Sequence, residues 1–129
     1  MPNVMSSKPS RDVRERAYRF SLEIIRSLKR LPNERACWII SDQVLRSSMS
    51  IGANATEAQG ASSRLEFKRF FEIALKSARE TKYWLFLLKD AGYLQNSVAD
   101  VLLNELNEIT AMLVSAVKRL KSIPQTSGI

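Results

Sequence analysis

The residues best suited to bond-making chemistry are scarce in this chain. Histidine is absent and cysteine occurs once, at Cys37. That removes the usual general base, the usual zinc and haem ligand, and every Ser–His or Cys–His nucleophile pairing. Carboxylates are plentiful, and Glu57, Glu66 and Glu80 are the ones an oxygen-liganded divalent ion would use, but nothing in their spacing makes them converge. A diiron bundle needs Glu-x-x-His pairs, which this chain does not contain. Phosphate-cradling glycine loops are missing as well, since Gly92 and Gly128 stand alone. Cys37 falls on an apolar stripe and is expected to be a small buried hydrophobe. The expectation is no catalysis, no cofactor and no metal.

What remains is charge. The chain of 129 residues carries a net +7, distributed unevenly: +5 over residues 1–35, −1 over 36–60, +3 over 61–95 and zero over 96–129. Two basic segments and a sequence pI near 9.9 form the electrostatic footprint of a polyanion binder, because each phosphate neutralised releases condensed counterions; the alternative is a solvated surface that keeps the protein soluble. The candidates for holding phosphates are Arg16, Arg19, Arg26 and Arg30 in the first segment and Lys68, Arg69, Arg79 and Lys82 in the third. Tyr18 and Tyr83 lie beside these cations, but a tyrosine at the edge of a core is the commoner arrangement.

Four amphipathic helices must position those groups. Ala17, Phe20, Ile24, Leu28 and Leu31 step by three and four, predicting a first helix of about 20 residues that stops at Pro32-Asn33. Asn33 is the expected N-cap of a second helix with Cys37, Ser41, Val44, Ser48, Ile51, Ala55 and Ala58 on its core stripe. Within that helix, Gly52 signals a bend or a close contact. Ser63-Arg64-Leu65-Glu66 is a capping box that opens a third helix with Phe67, Phe70, Phe71, Ala74, Ser77, Ala78, Thr81, Trp84, Leu85 and Leu88 inside. Its small middle section should meet Ser48 and Ala55 of helix two. Ala91-Gly92 ends it, and Tyr93-Leu94 should fold back as a hydrophobic cap. Leu102, Leu106, Ile109, Leu113, Ala116, Leu120 and Ile123 then mark a fourth helix, closed by Pro124.

No stretch alternates with period two, so no strand is expected. Short connections favour antiparallel neighbours, and the fold class is all-α: an antiparallel up-down-up-down four-helix bundle over residues 11–123. Residues 1–10 read as a loose N-terminal tail and 124–129 as a frayed end. The longest apolar run, Trp84 to Leu88, is far short of the roughly 20 residues that span a bilayer. A soluble, cytoplasmic protein with no membrane contact is expected.

One stripe on helix two resists this account. Gln43, Arg46, Ser50, Asn54 and Glu57 stack at helical spacing opposite the expected core face, with Ile39 among them. They fit either a solvated surface or a subunit or ligand interface.

The same residues carry a family resemblance. Gln43-Val44-Leu45-Arg46, then Ser50-Ile51-Gly52-Ala53-Asn54-Ala55-Thr56-Glu57, Gly60, Glu66-Phe67-Lys68-Arg69-Phe70 with Ile73-Ala74, Ser77, Glu80 and Gly92-Tyr93-Leu94 resemble the four-helix bundle proteins encoded in ribosomal RNA intervening sequences. The likeness runs from about residue 17 to residue 121. Gly52 stands where that family usually has proline, and Ala58 where it usually has glycine, so the end of helix two is where this chain departs. The resemblance implies a bundle that assembles into homopentameric rings, with Arg46, Asn54, Glu57 and Glu80 as family positions. Relatives of the fold include the accessory protein of diversity-generating retroelements, which binds nucleic acid and a reverse transcriptase.

The expected function is thus a non-enzymatic, oligomeric bundle that binds nucleic acid, RNA more than DNA, by charge and shape. The alternative is an oligomeric scaffold for a protein partner such as a reverse transcriptase.

Overall fold

The computed structural model describes residues 12–122, which form four helices and one short 3₁₀ turn. The proposed tails and the positions of Arg11 and Ile123 lie outside the described residues. Helix α1 spans Val13–Leu28, α2 Arg35–Glu57, α3 Arg64–Asp90 and α4 Asn96–Lys121, with the turn Ala58–Gly60 after α2.

Each helix starts and stops for a local reason. Asp12 caps α1, its carboxylate accepting from the Arg14 backbone N–H at 2.9 Å. The helix ends at Leu28, earlier than Pro32 required, and the remaining residues form a turn. Asn33 is not the cap of α2; Glu34 takes that position without a side-chain capping bond. Its carboxylate faces the Tyr93 phenol, which holds its proton above the ordinary tyrosine range by donating to Glu34. At α3 the Ser63 hydroxyl accepts from the Glu66 N–H at 3.1 Å, while the Glu66 carboxylate reaches the Ser62 N–H at 3.0 Å, one residue earlier than a strict capping box. Gly92, at φ +82°, closes α3: its N–H bonds to the Lys89 carbonyl and the Tyr93 N–H to the Leu88 carbonyl, both at 3.0 Å. This turn buries Leu94 and half-buries Tyr93.

The helices pack in a closed cycle, α1 on α2, α2 on α3, α3 on α4 and α4 back on α1. Paired residues fix the register. Gly52 sits against α1, where an added Cβ would approach that of Ala17 at 3.3 Å; the glycine marks close packing, and α2 runs through it unbroken. Between α2 and α3 the Ser47 and Thr81 hydroxyls lie 2.9 Å apart, as do those of Ser50 and Ser77, an antiparallel pairing of short side chains. The expected partners Ser48 and Ala55 are buried, but Ser47 and Ser50 make this contact. Lys89 joins Asp100 at 2.9 Å across the α3–α4 hairpin.

The centre is filled by Phe20, Ile24, Val44, Ile51, Leu85, Leu88, Leu106, Ile109 and Leu113, each under 2% exposed. At this depth, truncating one large aliphatic side chain to alanine costs about 2–5 kcal/mol. The core stripes follow the helical spacing, with additions at Leu75 and Leu103, while Ser41, Leu28, Leu31 and Leu120 are only half-buried.

Candidate nucleic-acid interface

The cations of α1 are largely committed to carboxylates. Arg16 is 8% exposed and grips Glu105 of α4 through two bonds, at 2.8 and 2.7 Å, with Glu108 at 3.3 Å. Those bonds hold its guanidinium charged more firmly than in water. Arg16 therefore locks α1 to α4 and does not face outward, contrary to its place in the expected basic stripe. Arg19 pairs with Glu15 one turn back and is half-buried. Arg26 is exposed and paired with exposed Glu23 at 2.7 Å. Arg30 is exposed in the turn that follows α1. A helix with both signs on one side cannot read as basic from its arginines alone.

On α3 the arrangement differs. Arg69, Arg79 and Lys82 are exposed and Lys68 is half-exposed, and none of the four makes an ion pair among the described residues. Of the acids on this helix, Glu66 is turned to Ser62 and Glu80 to Arg46, which leaves Glu72 and Asp90 on the outer surface. The span from Lys68 to Lys82 is about 21 Å at 1.5 Å per residue. Lys76 belongs to the same outward face and was not singled out from sequence, although its steps of eight from Lys68 and three to Arg79 showed it. The last turn of α4 carries three further cations, Lys118, Arg119 and Lys121. They read in sequence as complements to the α4 dipole, and only the antiparallel hairpin brings the last turn of α4 back to where α3 begins.

The polar stripe of α2 does not lie opposite the core. Its members flank the α2–α3 seam: Arg46 joins Glu80 and also bonds Gln43 at 2.8 Å, and Glu80 accepts from the Trp84 indole at 3.0 Å. Asn54 bonds the Ser50 hydroxyl at 2.9 Å and its carbonyl at 2.8 Å. Glu57 is exposed at the helix end. Ile39, 54% exposed, shares the Arg46 face of α2, and Ile73 and Leu87, 46% and 36% exposed, lie seven residues either side of Glu80 on α3, so helical spacing sets them along the same stripes. Glu57, Glu66 and Glu80 stay apart, and no group of three metal-ligating side chains forms among the described residues. Likewise, no helix among them is long and apolar enough to cross a membrane.

Four helices closed around one core, with a hydroxyl-lined seam and a cation-bearing third helix, define a small basic all-α four-helix bundle protein. The profile of the 23S rRNA-intervening sequence protein family matches residues 10–115, and the chain belongs to that family. A solved structure is similar over most of both chains, at 40% identity and TM-score 0.77, covering 82% of this chain and 98% of its own; it is described as a protein with unknown function from the S23 ribosomal protein family of Bacteroides thetaiotaomicron VPI-5482. No curated protein matches the chain.

Proposed function

We propose that this protein is a non-enzymatic, homo-oligomeric nucleic-acid-binding bundle that holds RNA in preference to DNA by charge and shape. The observation that carries the reading is the outward row of cations on α3, Lys68, Arg69, Arg79 and Lys82, none of them ion-paired among the described residues. A row of this length, its cations outnumbering the interspersed Glu72, suits a phosphate backbone, and contacts of this type position a nucleic acid without reading its bases. The family name places the genes in a 23S rRNA intervening sequence and names no ligand, so the preference for RNA is tested by titrating RNA and DNA side by side. On this reading the protein acts in the cytoplasm and needs no cofactor.

Self-association belongs to the same proposal. The Arg46–Glu80–Gln43 cluster with Ile39, Ile73 and Leu87 around it combines a polar centre with exposed apolar side chains, as subunit interfaces do. A homopentamer is the stoichiometry that the family resemblance implies. Light scattering at micromolar concentration should return a mass five times that of one chain; a monomer would count against this part.

Titration against a structured RNA at low salt tests the binding itself. Affinity should fall steeply as salt rises. Absence of binding, or binding indifferent to salt, overturns the proposal. Retention of a protein partner after nuclease treatment, without nucleic acid, would favour the scaffold reading instead.

A further inference from the structure

The outward face of α3 carries rings as well as cations. Tyr83 is 62% exposed and Phe86 40% exposed, one helical turn apart. Helical spacing makes Arg79 a neighbour of Tyr83, Lys82 a neighbour of Phe86, and places Lys76 two turns before Tyr83. This segment, Lys76 to Phe86, covers about 15 Å of helix. The Tyr83 ring meets the Trp84 ring edge-on, with centroids 4.9 Å apart and planes at 77°, and Trp84 donates its indole N–H to Glu80. That contact leaves most of the Tyr83 ring exposed, 62%, and open to stacking.

We infer that Tyr83 and Phe86 form a stacking platform for unpaired bases, so that the cationic face of α3 takes single-stranded nucleic acid in preference to a duplex. The inference rests on the nucleic-acid-binding reading above and narrows its ligand. A duplex offers this face phosphates alone, because its base faces are stacked on one another. A single strand offers both phosphates, to Lys76, Arg79 and Lys82, and base faces, to the two rings. The combination of cations with exposed aromatic side chains at adjacent helical positions matches both halves of that ligand.

The experiment compares the full chain with Tyr83→Ala and, separately, Phe86→Ala, on two probes: a single-stranded oligouridylate and an RNA duplex of the same length, at one fixed salt concentration. Wild type should prefer the single strand. Each substitution should weaken single-strand binding by between about 5-fold and about 150-fold, the range that removal of one stacking ring produces. Duplex affinity should not change, and Tyr83→Phe should restore single-strand binding. Equal losses on both probes, no loss on either, or a wild type with no preference would overturn the platform while leaving polyanion binding in place. Wild type that binds neither probe overturns both readings. A change of oligomeric mass in Tyr83→Ala would also overturn the platform, since the face would then be a contact between copies of the chain.

Discussion

Gly92 and Gly52 show what single residues contribute here. At Gly92 the backbone is left-handed, with φ +82°, a conformation that costs any residue with a Cβ roughly 1–2 kcal/mol. Gly92→Ala should therefore lower the unfolding free energy in urea by about that amount while leaving the α3–α4 turn intact by circular dichroism. Space around it is open, so the penalty is conformational. Gly52 is the opposite case, an ordinary helical backbone with Ala17 pressed against it. Gly52→Val should cost about 1–3 kcal/mol by overpacking. At the start of α1, hydrogen bonding to Arg14 holds the Asp12 carboxyl below the ordinary aspartate range. Its capping contribution is present above the unfolded aspartate value and is lost as pH falls through the lowered folded value. Asp12→Ala should thus cost about 1 kcal/mol at neutral pH, and a urea series should show that difference shrinking only on acidification below pH ~4.

Among elements, the α1–α4 contact is the one that sequence periodicity left undetermined. Arg16 shares its helix face with Arg19 and Arg26, and all three look like one surface stripe when the helix is drawn alone. Packing separates them, because α4 presents Glu105 and Glu108 to the edge where Arg16 lies. Arg16→Ala should destabilise the bundle by about 1–3 kcal/mol, less than for a wholly buried pair because Glu105 keeps 32% exposure and can rehydrate. Its RNA affinity at a temperature where both proteins are folded should match wild type. A large affinity loss there would restore Arg16 to the binding surface. In the α2–α3 seam, short hydroxyl side chains let the two backbones approach, so Ser47→Leu should cost about 1–3 kcal/mol, read as a lowered urea midpoint.

At the scale of the whole molecule the reading depends on where charge is left over after the helices have paired. Each of Lys68→Gln, Arg69→Gln, Arg79→Gln and Lys82→Gln should reduce the slope of log affinity against log salt by about 0.7 for single-stranded RNA. Arg26→Gln should change it less, since Glu23 already shares that charge. An unchanged slope in the four α3 variants would remove the proposed surface.

The sequence by itself determined the four helices, their core stripes and the Gly92 stop, because each follows from spacing and capping within one segment. It also made the cations of α3 visible, and the family positions on α2. Which arginines of α1 remain outward, and that the polar stripe of α2 borders α3, were decided only by tertiary structure. The physical reason is the same in each case. A charge or hydroxyl is assigned by the neighbour it meets, and that neighbour comes from another helix whose rotation and register no single-helix pattern contains.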